Sequence, residues 1–151
     1  MRDGVVADTH GSLPPSIDSA LAGVDRIVHA GDVGGQRVLD RLEAIAPVVA
    51  VRGNMDADDL GWRLPERAVV RAGEKRILVG HIRETLIANG VPESIDVIVT
   101  GHTHRASIKQ SGDVLFVNPG STGSRGRDGR GPTAAIIDLS VEPPEAWIVD
   151  L

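Results

Sequence analysis

Seven side chains able to bind a divalent cation, Asp8, His10, Asp32, Asn54, His81, His102 and His104, each stand at or just beyond the end of an apolar run that reads as a buried strand. The runs are Gly4 to Ala7, Ile27 to Ala30, Val48 to Val51, Ile77 to Val79 and Val97 to Val99. A mostly parallel sheet opens its ligand crevice at the carboxyl ends of its strands, so groups far apart in sequence converge there. Imidazole, carboxylate and amide together suit borderline divalent metals, and seven such groups exceed the roughly four that one tetrahedral zinc takes. Two ions sharing one carboxylate account for the set. Chance placement of polar residues in loops does not explain why four of the five histidines follow strands.

The elements that must position these groups follow from periodicity. Ile17, Ala20, Leu21 and Val24 keep helical spacing after Pro14-Pro15, and Val38, Leu42 and Ile45 repeat it before Pro47. The first third therefore reads as two βα units. Beyond it, Ala68 to Val70 and Ile77 to Val79 flank Gly73, while Ala106 to Ile108 and Val114 to Val117 flank Ser111-Gly112-Asp113, as hairpins do. Strands at Ala134 to Leu139 and Ala146 to Val149 are expected to form a second sheet. The predicted fold is α/β: two stacked mixed β-sheets flanked by helices, in a single domain over residues 1–151.

At 151 residues the chain holds one α/β domain, whereas barrel hydrolases with paired H-x-H ligands need roughly 250. The first strand begins by Gly4 without a charged and then apolar leader, and no run approaches a membrane span, so a cytoplasmic protein with no membrane partner is expected. Zero cysteines exclude disulfides and thiolate ligands. A net charge of −5, no Tyr and one Phe offer nucleic acid neither a basic surface nor stacking platforms, so nonspecific nucleic-acid binding is not expected.

The order Asp8-Thr9-His10, Gly31-Asp32, Gly53-Asn54, an isolated His81 and Gly101-His102-Thr103-His104 resembles the calcineurin-like metallophosphoesterases over nearly the whole chain, most closely their small single-domain phosphodiesterases, which share the turn seen here as Asn118 to Ser121. The resemblance implies that Asp8, His10 and His104 hold one metal, that Asn54, His81 and His102 hold the other, and that Asp32 bridges them. The cofactors it implies are two divalent ions, manganese first among manganese, nickel, iron, cobalt and zinc. The implied reaction is hydrolysis of small phosphodiesters, with some monoesters, by a metal-bridging hydroxide. Asn54 would also donate its amide N–H to a phosphate oxygen, which makes it a catalytic as well as a ligating residue.

Two departures from the family's pattern stand out. Many members follow G-N with a histidine that assists the leaving group; here Met55 stands there, and a thioether donates no proton. Where the family usually reads H-G-H, this chain has His81-Ile82-Arg83, and Arg83 is the arginine best placed to reach a substrate phosphate. His29, inside an apolar strand, reads as a satisfied structural residue, and Asp56, Asp58 and Asp59 read as a solvated turn. Trp62 suits a pocket rim and core cover equally. Arg125, Arg127 and Arg130, spread among glycines from Gly120 to Gly131, read as an exposed flexible loop. The competing function is a protein-interaction scaffold of the same fold, as a retromer subunit resembling this family is. Scaffold members tend to lose the bridging Asp or the H-x-H partners, all of which this chain keeps. A homo-oligomer is compatible with the sequence, which does not specify one.

Overall fold

The computed structural model describes residues 1–151. Its strands in chain order are β1 (Arg2–Val6), β2 (Arg26–His29), β3 (Val48–Ala50), β4 (Arg67–Ala72), β5 (Lys75–Gly80), β6 (Val97–Val99), β7 (Ala106–Ser111), β8 (Val114–Pro119), β9 (Thr133–Asp138) and β10 (Glu145–Asp150). The helices are short: α1 (Ile17–Ala20), α2 (Gln36–Glu43), α3 (Asp59–Arg63) and α4 (Arg83–Ala88). Two five-stranded mixed sheets result, ordered β10-β9-β1-β2-β3 and β4-β5-β6-β8-β7. The expected two-sheet α/β architecture is therefore observed.

One expectation about it was misplaced. β9 and β10 do not belong to a second sheet of their own; β9 runs antiparallel to β1, with Gly4 opposite Ile136, and β10 pairs onto β9. The second sheet instead gathers the two hairpins around β6, which lies parallel to β5 and β8. Hydrophobic alternation specifies which face of a strand is buried, not which edge it joins.

Both faces of the central strands are covered, which is why they read as continuous apolar runs. Val5, Ala7, Val28 and Ala30 of the first sheet meet Ile77, Val79, Val97 and Val99 of the second in one core between the sheets. The alternate residues Val6 and Ile27 point outward, onto Ile17, Leu21, Val38 and Leu42 of the helical layer. On the far side Leu78 and Ile98 pack against Leu86 of α4. α1 is shorter than its periodicity predicted. Gly23 turns the chain at φ 79°, yet Leu21 still reaches the core from the turn.

Candidate functional site

The carboxyl ends of β1, β2, β3, β5 and β6 point to one edge of the sandwich, and the loops leaving them bring all seven sequence-predicted groups together there. On one side, His10 Nε2 lies 3.4 Å from His104 Nε2, and Asp8 Oδ1 lies 3.3 Å from His104 Nε2 and 3.9 Å from His10 Nε2. On the other, His81 Nε2 is 3.2 Å from Asp32 Oδ2 and 3.9 Å from Asp8 Oδ1. Asn54 Oδ1 sits 3.1 Å from His102 Nδ1, whose ring meets His81 edge-on at 5.2 Å. Asp32 Oδ2 is also 3.8 Å from His10 Nε2, so its carboxylate stands between the two groups. Asp8, Asp32 and His81 are buried, while His10, Asn54 and His102 are exposed, as the floor and rim of an open site should be.

The backbone is held in an uncommon state to achieve this. Asp8, His10, Asp32, His102 and His104 all have φ between 47° and 69°, the left-handed region that residues bearing a Cβ seldom occupy. Five of the six such non-glycine residues in the chain are thus site residues, and strain concentrated this way marks function. Gly101 does not bend the H-x-H turn itself; it gives space, since a Cβ there would lie 2.8 Å from Ala7 Cβ, and the two histidines carry the turn. Gly53 is needed for the same reason, because its Cβ would fall 2.1 Å from Asp32 Oδ1.

Neighbouring polar groups fix these loops. The His81 Nδ1–H donates to the Ala30 carbonyl at 2.7 Å, which leaves a bare Nε2 facing Asp32. Such a contact is repulsive unless a proton or a cation lies between the two atoms. Burial alone would lower the pKa of His81, but the adjoining Asp32 carboxylate, the Ala30 carbonyl and the Asp8 charge outweigh it and raise the value. Asp8 is pushed up to about 7 by burial, against the pull of His81. Asn118 donates to the Gly101 carbonyl at 2.9 Å, and the Thr122 hydroxyl accepts from the Ala7 N–H at 3.2 Å, so the N-P-G-S turn and the threonine after it clamp both the H-x-H loop and the exit from β1.

Asp56 corrects the sequence reading. It is buried rather than solvated, and it accepts the N–H groups of Val33, Gly34 and Gly53 at 3.1, 3.1 and 2.8 Å, tying the loop after Asp32 to the loop carrying Asn54. Its neighbour Asp58 caps α3 by accepting from Gly61 N–H at 3.1 Å. His29 is the structural residue expected: Gly31 N–H donates to its Nδ1 at 3.2 Å, and its Nε2 lies 2.9 Å from the Thr9 hydroxyl. The arginine-bearing loop is tethered to the site, Arg127 N–H donating to the His104 carbonyl at 2.8 Å. Arg83 lies elsewhere than anticipated. Its guanidinium stacks 4.2 Å over the Phe116 ring on the outer face of the second sheet, and the arginines lining the pocket beside Asn54 are Arg52 and Arg67.

Two donor sets emerge, Asp8 with His10 and His104, and Asp8 with Asp32 and His81. The shorter N···O separations, 3.2 and 3.3 Å, match the edges of a coordination shell about 2.1 Å in radius, and the two to Asp8 at 3.9 Å are wider. Asp8 Oδ1 and His81 Nε2 are buried without a hydrogen-bond partner, the condition a cation would relieve. The residues present therefore fit divalent metals. Residues 1–142 match the calcineurin-like phosphoesterase superfamily domain. This chain belongs to that superfamily. Among its relatives, "Probable metallophosphoesterase MJ0623" of Methanocaldococcus jannaschii is 36% identical, covering 94% of this chain and 77% of the relative. A solved archaeal phosphodiesterase is 26% identical, covers all of both chains and superposes with a TM-score of 0.80. Vps29 from Entamoeba histolytica, 24% identical and covering 100% of this chain and 99% of its own, shares the fold with a TM-score of 0.77. No helix of the chain is long and apolar enough to cross a membrane.

Proposed function

We propose that this phosphoesterase hydrolyses small phosphodiesters with two divalent ions, manganese first among the candidates, in the cytoplasm. Asp8, His10 and His104 would hold one ion, Asn54, His81 and His102 the other, with Asp32 shared. The observation that carries the reading is the His81–Asp32 contact, two buried groups held 3.2 Å apart with the imidazole proton committed to Ala30. Bound ions would supply Lewis acidity toward the phosphoryl oxygens and a nucleophile at neutral pH. The chain's own residues do the rest. Asp32 offers two oxygens and a negative charge, which an amide could not. Asn54 is exposed at the rim, where its N–H2 can donate to a phosphate oxygen while its carbonyl serves as ligand.

No side chain follows Asn54 that could protonate the departing oxygen. Met55 is 66% exposed, and its contribution is its backbone N–H, which donates to Asp32 Oδ1 at 2.8 Å. Esters whose leaving group departs unprotonated, such as aryl phosphodiesters, should therefore be favoured. The likeness to Vps29 supports the competing reading of a non-catalytic scaffold. Hydrolysis of bis(p-nitrophenyl) phosphate by the purified protein, assayed with each candidate metal and with a chelator, separates the two. Metal-dependent turnover is expected; none with any metal would leave the scaffold.

A further inference from the structure

Beside the metal-ligand cluster lies a cavity of about 410 Å³ that the chemistry at phosphorus does not need. It opens from Asn54 and His81, and its size falls in the range of sites that hold a whole small ligand. Its lining has a consistent character. Ile82 and Leu86 give it apolar surface, and Trp62, 78% exposed, stands at its margin with the Arg52 guanidinium 6.0 Å from the ring centroid. Arg52 and Glu66, joined at 2.7 Å, and Arg67, which donates to the carbonyls of Asn89 and Gly90, supply polar groups of both signs.

The placement of Trp62 is built, not incidental. Leu60 is buried in the core, and Gly61 approaches the Asp56 carbonyl so closely that a Cβ would lie 1.9 Å from its oxygen. The residue that ties the Asn54 loop to the Asp32 loop thus also seats the helical turn bearing the indole. An exposed tryptophan fixed beside a cavity offers a flat apolar face to a planar ligand.

We propose that this cavity receives the nucleoside arm of a phosphodiester, its base stacked at Trp62 and its polar edge met by Arg52 and Glu66. The proposal rests on the phosphodiesterase reading for the position of the phosphate, which sits at Asn54. A nucleobase pairs two apolar faces with an edge of donors and acceptors, which is the division the cavity wall shows. An alkyl arm would leave the indole face without a stacking partner. A nucleic-acid strand is the wrong scale for one cavity of this size on a protein of net charge −5.

Trp62 and Trp147 are the two tryptophans and there is no tyrosine, so a Trp147→Phe background leaves Trp62 emission alone. This protein, as purified, is titrated with adenosine 5′-monophosphate and, separately, with ribose 5-phosphate. Saturable quenching by the nucleotide alone is expected. Thr85→Phe, at an exposed position lining the cavity, should weaken it about tenfold by occupying the space, and Trp62→Ala, followed by calorimetry, should lose a similar factor as one stacking partner is removed. Equal responses to both ligands, or unchanged affinity in both variants, would overturn the assignment. The phosphodiesterase reading is tested separately by hydrolysis of bis(p-nitrophenyl) phosphate. Turnover without nucleotide selectivity refutes the nucleoside arm alone, whereas selective nucleotide binding without turnover upholds the cavity and refutes the enzyme.

Discussion

His29 should make the fold acid-labile well above the range in which carboxylates titrate. The ring is fully buried, its Nδ1 accepts the Gly31 N–H, and the Thr9 hydroxyl at its Nε2 is itself committed as a donor to the Val33 carbonyl at 2.8 Å. Adding a proton at Nδ1 would set donor against donor in a dry interior. Burial accordingly depresses its pKa from 6.5 to about 4, with Asp56 pulling the other way. An unfolded chain binds this proton near pH 6.5, and the folded one refuses it until about 4. The stabilisation is therefore complete above pH 6.5 and is lost as pH falls from there to 4. Integrated from pH 6.5 down to 4, the loss approaches about 3 kcal/mol, a large part of a stability of about 5–15 kcal/mol. Urea denaturation of the metal-free protein from pH 7.5 to 4, wild type against His29→Gln, isolates this proton from the carboxylates, which both proteins share. The wild type should lose about 3 kcal/mol more across the interval. Parallel curves would show that His29 titrates alike in both states and that its burial has no energetic consequence.

Asp32→Asn should lower turnover by more than the 10–100-fold typical of a residue that merely supports a ligand and should empty both metal positions, as read by elemental analysis; retention of two ions would end the bridging assignment. Asp56→Ala strips the acceptor from three backbone N–H groups and should cost about 3 kcal/mol or more in chemical denaturation, while a loss below about 1 kcal/mol would mean water replaces it freely. Met55→His places a proton donor beside Asn54, so alkyl phosphodiesters should gain, by as much as 10²-fold, with a new dependence on pH near 6–7 while aryl esters change little. Equal responses from the two ester classes would show that position 55 is not aimed at the leaving group.

The site was legible because its residues punctuate the strands. Each of the seven groups terminates an apolar run, and parallel strands force such ends to one side. What the sequence left hidden was pairwise and three-dimensional. Asp56 looks like its neighbours Asp58 and Asp59 in a string of letters, and only the return of the chain past Val33 and Gly34 makes it the knot between two loops. The left-handed backbone of Asp8, His10, Asp32, His102 and His104 has no signature in residue type, since none is glycine. Arg83 was favoured for its position after His81, but the first turn of α4 carries it over Phe116, and the pocket's arginines come from the ends of β3 and β4 instead. The same limit misplaced β9 and β10, whose apolar pattern suits either sheet.

The seam between the two sheets runs through the middle of the donor set. Asp8, His10, Asp32 and Asn54 hang from the first sheet, and His81, His102 and His104 from the second. An ion gripping both would act as a rivet between layers otherwise joined by interlocked hydrocarbon and a few hydrogen bonds, such as that from His81 to the Ala30 carbonyl. Sliding one sheet over the other, or prying them apart from this edge, would then require the rivet to fail first. The protein's mechanical and thermal endurance would track the supply of free metal, rising by RT times the logarithm of one plus the ratio of free metal to its Kd, so starvation for the ion would loosen the architecture as well as silence the chemistry.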